Sequence, residues 1–157
     1  MRSLLLAVCV FVLAIGFSCS QSSEEPSEVE LFRIVLEESS MLVNDVYLLT
    51  NDSIVVSKKG PEGVEVGFSK KLNLEEMSEV RELLMSFNLD TLQKKYVDHM
   101  ATDCDVEFDW KIKIDQNEFA TRVYKIKVDK LFELTELMNE MLPNELKSAY
   151  NQDYLER

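Results

Sequence analysis

The sequence predicts an α+β fold: an antiparallel sheet of five or six strands with two main helices packed on one face, in the order ββββ-α-α(short)-ββ-α. Three observations carry this expectation. Short segments between Val29 and Phe68 alternate apolar and polar residues with the period of a half-buried strand. Residues 72–87 and 129–142 switch to the helical period. Between them, Asp105 to Val128 returns to strict alternation, as two strands joined by a turn.

The first strand is expected over Val29–Glu38, where Phe32, Ile34 and Leu36 alternate with Arg33, Val35 and Glu37. Ser39-Ser40 ends it. Val43–Thr50 and Ser53–Lys59 flank Asn51-Asp52, two residue types that tolerate the positive φ of a type I′ hairpin turn. A two-residue loop there sets Leu49 opposite Ile54 and Tyr47 opposite Val56 on one face. Gly60-Pro61-Glu62-Gly63 is the next turn, and Val64, Val66 and Phe68 alternate along a fourth strand.

The first long helix has its own start signal. Asn73 is a good N-cap and Glu76 stands three residues on, the pattern of a capping box, with Leu72 and Met77 placed to form a hydrophobic staple. Leu74, Met77, Val80, Leu83, Leu84 and Phe87 make the apolar stripe. Asn88 ends the helix, and Asp90 is placed to cap a short second helix over Thr91–Tyr96. Residues 98–103 read as loop.

The clearest strand is Asp105–Asp115, with Val106, Phe108, Trp110, Ile112 and Ile114 on one face. Its partner is expected over Glu118–Val128, with Ala120, Tyr124, Ile126 and Val128 inward. A three-residue loop, Asp115-Gln116-Asn117, sets Phe108 opposite Tyr124, Trp110 opposite Arg122 and Glu107 opposite Lys125. That register pairs apolar with apolar and acid with base. Asp129 then caps a second long helix, Lys130–Leu142, which buries Leu131, Leu134, Leu137, Met138, Met141 and Leu142 and stops at Pro143. In the tail, Leu146, Tyr150, Tyr154 and Leu155 have loosely helical spacing.

Ahead of this domain lies a different kind of sequence. Met1-Arg2-Ser3 carries one positive charge, Leu4–Phe17 is an unbroken apolar run, and Ser18-Cys19-Ser20 leads into polar, acidic sequence. That is the layout of a secretory signal peptide over residues 1–18. The run is shorter than the ~20 apolar residues that cross a bilayer. With Cys19 just past it, the segment resembles a bacterial lipoprotein signal, and the resemblance implies lipid attachment at Cys19, export, and a place in the bacterial cell envelope on its periplasmic or surface side. An ordinary cleaved signal peptide and a retained anchor are the alternatives. Residues 19–28 then form the lipidated cysteine and a flexible acidic tether; Ser20–Glu28 has no aliphatic or aromatic side chain to bury. Residues 29–157 are expected to form one globular domain.

Charge and cysteine usage narrow the function. The formal net charge is −12, and loss of Arg2 with the leader makes the mature chain more acidic still. Such a body repels polyanions, so nucleic acid is excluded as a partner. The membrane, through the N-terminal lipid, and an unspecified protein are the expected partners. Cys9 falls in the leader, so a lipidated Cys19 leaves Cys104 without an intramolecular partner, and the domain must be held by its core.

Three constellations bear on chemistry. Asp98-His99-Met100-Ala101-Thr102-Asp103-Cys104-Asp105 is the densest group of potential metal ligands. Its adjacent Asp103, Cys104 and Asp105 diverge if extended, and the calcium-loop pattern with its central Gly is missing. It reads as a polar loop. Cys104 with His99 is the only thiol–imidazole pair the mature chain can make, and no nucleophile motif accompanies it. Phe108, Trp110 and Tyr124 could form an aromatic platform for sugar or peptide, but their alternation reads first as core. The sequence therefore predicts no catalytic residue, no metal site and no cofactor. It points to a non-catalytic, envelope-associated protein-binding domain, with a small-ligand carrier as the alternative.

The element order over residues 29–142 resembles small, functionally uncharacterised bacterial lipoproteins. In Phe32–Leu36, Leu74–Phe87, Phe108–Ile114 and the closing helix it is also similar to small bacterial metallopeptidase-inhibitor domains, which implies a peptidase-inhibitor-like module as a narrower form of protein binding.

Overall fold

The computed structural model describes residues 31–41, 44–59, 63, 65–98 and 106–156. Their fold is mixed α+β, built on one sheet. The strands are β1 (Phe32–Ser39), β2 (Asn44–Thr50), β3 (Ser53–Lys59), β4 (Glu65–Lys71), β5 (Lys95–Val97), β6 (Glu107–Ile114) and β7 (Asn117–Tyr124). They lie in the order β4-β3-β2-β1-β6-β7-β5, so the sheet has seven strands where five or six were expected. The main helices are α1 (Leu74–Met85) and α2 (Asp129–Glu140), with a short α3 (Gln152–Leu155) near the C-terminus.

The extra strand replaces an expected helix. After α1, Asn88 rather than Asp90 is the cap: its side chain accepts from the Asp90 backbone and closes a single 3-10 turn, Leu89–Thr91. Lys95–Val97 then runs parallel to β7, with Tyr96 beside Val123. Three residues hold the strand because its flanks are also tied: Arg122 N donates to Lys94 O at 3.2 Å and Asp98 N to Tyr124 O at 3.0 Å.

β1 lies at the centre of the sheet, antiparallel to both β2 and β6. Period two sends Phe32, Ile34 and Leu36 inward, and all three are buried. Val29 lies outside the described residues. The β2–β3 hairpin has the expected register, Leu49 opposite Ile54 and Tyr47 opposite Val56. Its turn is not the expected type, since neither Asn51 nor Asp52 has positive φ. Side chains tie the corner instead: Asp52 Oδ1 accepts from Thr50 Oγ1 at 2.8 Å and Ser53 Oγ at 3.0 Å, and Asn51 Oδ1 accepts from Phe32 N at 2.6 Å.

The β6–β7 hairpin differs from expectation by one residue. Trp110 faces Thr121, Phe108 faces Val123 and Glu107 faces Tyr124, around a loop of Asp115-Gln116 alone. A one-residue change exchanges the two faces of a strand, so Phe119, Thr121 and Val123 point inward and Ala120, Arg122 and Tyr124 outward. The reason lies at Lys125. Its φ of 50° is left-handed, and β7 stops just before it. The alternation Tyr124-Ile126-Val128 therefore straddles a break and reports no strand face. The observed register also sets Asp109 directly opposite Arg122 and Lys113 opposite Glu118. Asp115 takes the positive φ at this turn, and Asn117, expected in the loop, opens β7.

The α1 start is as the sequence reads. Asn73 Oδ1 accepts from Glu76 N at 3.0 Å, and Glu76 Oε2 accepts from Asn73 N at 2.9 Å. Val80 and Leu84 are buried against the sheet, but Leu74, expected in the stripe, is 82% exposed. It is the first helical residue, more than a turn ahead of the buried positions Val80 and Leu84. On α2, Asp129 is the first helical residue and not the cap; Val128 holds that position with no side-chain hydrogen bond. Leu131, Leu134 and Met138 complete the core from above.

The tail packs against the core. Tyr150 is fully buried, its ring 4.8 Å from Phe108, 6.0 Å from Phe132 and 6.4 Å from Trp110. Its hydroxyl donates to Ile126 O at 3.0 Å and accepts from Val128 N at 2.8 Å, tying the tail to the bend that follows β7. Burial pushes this phenol up to about 12.

Candidate functional site

The densest polar constellation among the described residues lies at the end of β1, and it is buried. The inward parity of Phe32, Ile34 and Leu36 continues to Glu38, which is 2% exposed. A carboxyl placed so deep needs partners. The tail supplies most of them. Ser148 Oγ donates to Glu38 Oε1 in a short hydrogen bond, and Ala149 N donates to Oε1 at 3.0 Å and Oε2 at 3.3 Å. Tyr47 OH stands 3.5 Å from Oε2 and 3.2 Å from the Lys147 carbonyl.

A second layer holds these partners in place. Asn139 Oδ1, from α2, accepts from Ser148 N at 2.7 Å, and Ser148 Oγ accepts from Tyr150 N at 3.1 Å. Lys58 Nζ sits 3.4 Å from Asp45 Oδ2, donates to Lys147 O at 3.0 Å and lies 5.5 Å from the centre of the Tyr47 ring. Elements from both ends of the chain are thus joined around one carboxyl: β1, β2, β3, α2 and the tail.

Burial governs the electrostatics. It pushes the Glu38 carboxyl up to about 7, against the opposing pull of the Ser148 and Ala149 donors and of the Lys58 charge. It also raises Tyr47 above the ordinary phenol range, helped by the nearby Glu38 and Asp45 charges. A protonated Glu38 can donate from Oε2 to the Tyr47 oxygen while Tyr47 donates to Lys147 O, so the network is satisfied in the neutral form. With Glu38 and Ser148 at 2% and 1% exposure, the cluster cannot meet a substrate. Its chemistry is that of a clamp on the tail.

The accessible feature is the other side of the sheet. The described helices cover one face only. On the bare face Val35, Leu48 and Val55 stand directly opposite one another on β1, β2 and β3. Val55 is 36% exposed, while Val35 is 7% exposed beneath its neighbours. Ion pairs border this apolar row: Lys111 with Glu37 at 2.7 Å, and Arg122 with Asp109 at 2.8 Å and Glu107 at 3.0 Å. A third feature is an open hollow of about 540 Å³ between the end of α1 and the β6–β7 turn, bordered by Leu84, Phe87, Leu89, Ile114 and Phe119.

The residues singled out in the sequence are scattered or lie beyond view. Cys19, His99, Asp103, Cys104 and Asp105 fall outside the described residues. Asp98 is described, half-buried just past β5. Among the described residues no three His, Cys, Asp or Glu side chains converge as metal ligands. The aromatic trio is divided by the hairpin register: Phe108 and Trp110 are core, and Tyr124 lies on the opposite face. Glu38 was missed. Its parity with Leu36 was the available signal; its partner Ser148 is 110 residues away.

These features define a mixed α+β sheet protein with one face covered by helices and one face that the described residues leave uncovered. No protein-family model matches the chain, and no curated protein matches it. No helix among the described residues is long and apolar enough to cross a membrane.

Proposed function

We propose that this is an exported lipoprotein of the bacterial envelope, anchored through Cys19, whose domain binds another protein and catalyses no reaction. The observation that carries the binding part is the sheet face the described helices leave uncovered, where Leu48 and Val55 are accessible beside buried Val35 and ion pairs border the row on its β6 side. Apolar surface ringed by polar groups is the usual form of a protein contact. The anchor part rests on the leader and on Cys19. Several acyl chains hold a domain stably where one does not, which leaves the bare face available for a partner.

The test has two arms. Cells grown with labelled palmitate should label the native chain and not Cys19→Ala. Label on neither, with the intact Met1 form in the cytosol, rejects the anchor. A photo-crosslinking residue at Leu48 should capture one discrete envelope protein, and the same residue at exposed Leu74 should not. Equal capture at both sites rejects the face. Turnover abolished by a point change in a folded variant rejects the non-catalytic reading. Within protein binding, peptidase inhibition is the narrower form, and a broad peptidase panel without inhibition removes it. A small-ligand carrier is the second reading, supported by the hollow beside Phe119, whose size suits a small molecule. Phe119→Trp fluorescence unchanged across a panel of apolar ligands removes that.

A further inference from the structure

We propose that two copies of this chain associate edge to edge through β4, extending each seven-stranded sheet into one continuous sheet. The sheet has two edges, and they differ. β5 is three residues long, a length that limits pairing. β4 runs for seven residues, Glu65–Lys71, with β3 on one side and no described strand on the other. Its outer backbone groups form a template for another strand.

The sequence of β4, EVGFSKK, is complementary to itself. A two-fold axis perpendicular to the sheet keeps inward residues inward in both copies. Set at Phe68, it pairs the whole strand: Glu65 with Lys71 of the second copy, Val66 with Lys70, Gly67 with Ser69, and Phe68 with Phe68. Both ends then carry a carboxylate opposite an ammonium, and the half-buried Phe68 rings meet at the centre. Moving the axis to Gly67 or Ser69 shortens the overlap and loses the Glu65–Lys71 match.

The local contacts leave these groups available. Lys70 is engaged on its own copy, 2.6 Å from Glu76, so its charge is already paired where it would stand opposite Val66 of the second copy. Val66 is 50% exposed despite pointing to the helix side, so the second copy would cover it. Lys71 makes no salt bridge among the described residues, only a longer-range attraction to Asp52. Glu65 Oε1 accepts from Ser57 Oγ at 2.5 Å, leaving Oε2 for the neighbour. An edge lysine ordinarily repels its own copy; here its opposite residue is an acid. A single strand pair buries less than the ~1,200 Å² of stable complexes, so the dimer is weak in dilute solution. Confinement on a membrane would raise its effective concentration.

The test uses the full chain in detergent, followed by sedimentation over a wide concentration range. A monomer–dimer equilibrium is expected. Glu65→Lys and Lys71→Glu each place like charges at both ends and should weaken the dimer at least tenfold. Mixing the two variants should restore it, because each then meets its complement, and so should the double variant. Circular dichroism confirms that both exposed substitutions leave the fold intact. A second readout is Phe68→Cys, which should form a disulfide-linked dimer in native membranes. A wild type that stays monomeric to ~1 mM, single variants that leave the dimer unchanged, or a mixture that fails to restore it overturns the proposal.

Discussion

Two hairpins flank the central strand, and they differ in how firmly each chooses its pairing. In the β2–β3 hairpin, Tyr47, Leu49, Ile54 and Val56 are all fully buried, and a one-residue slip would move the buried pair of the slipped strand to the opposite face. In the β6–β7 hairpin only β6 is so committed. β7 sends Phe119, Thr121 and Val123 inward, a mixed set of half-buried, polar and apolar residues, while its outward face carries Ala120 and Tyr124 beside the charged Glu118 and Arg122. Each face of β7 thus mixes polar with apolar residues, and neither is a continuous apolar stripe. What decides it is the surroundings: Thr121 Oγ1 donates to Gln93 O at 2.6 Å ahead of β5, Tyr96 lies beside Val123, and Asp109 grips Arg122. The first hairpin is fixed by its own sequence, and the second by its neighbours.

The largest test of that contrast is Ile54→Ala. It empties a fully buried site in the strongly committed hairpin and should cost about 2–5 kcal/mol in urea unfolding. A cost below ~1 kcal/mol would mean that this hairpin slips as easily as the other.

The second test probes the strand between the hairpins. Glu38 faces Asp45 of β2 and Phe108 of β6. Its folded-state pKa of about 7 lies above the ordinary value of 4.5. Its contribution is therefore fully present below about pH 4.5 and is lost as pH rises through about 7, where it levels off. The swing should be about 3 kcal/mol. Glu38→Gln should remove that pH dependence from the unfolding curve; a slope unchanged in the variant would clear Glu38 of it.

A third test reads the β7 register directly. Val123→Ala should cost about 2 kcal/mol, because the side chain is fully buried, and Tyr124→Ala under ~1 kcal/mol, because it faces outward. The reverse order would restore the register with Phe108 opposite Tyr124. The smallest effect is expected at Lys125, where φ is 50°. Lys125→Gly relieves a conformation that costs L-residues about 1–2 kcal/mol but adds unfolded-chain entropy, for a net gain of about 0.5 kcal/mol in thermal unfolding.

Much of the fold was legible because local signals were redundant. The α1 start carries a cap, its reciprocal Glu76 and the apolar stripe, all within a few turns of chain. The inward faces of β1, β3 and β6 follow from alternation alone. Leu74 fits the stripe's period yet lies in the exposed first turn of α1, and the three residues of β5 are too few to show a period. The Glu38 clamp was half legible: parity put an acid on the apolar face of β1, but nothing local named Ser148, Ala149 or Asn139. The bare face was equally hidden, since alternation says which residues share a side and not which side the helices choose.

The amino-acid order alone determined the two main helices, the strand faces with unbroken alternation and the β2–β3 register. Each is set by contacts or dihedrals within a few residues, so the information is local. Tertiary structure alone decided the β7 register, the seventh strand, the ionisation of Glu38 and the docking of the tail. Each of these depends on groups brought together from distant parts of the chain, where burial and a neighbour's hydrogen bonds outweigh local preference.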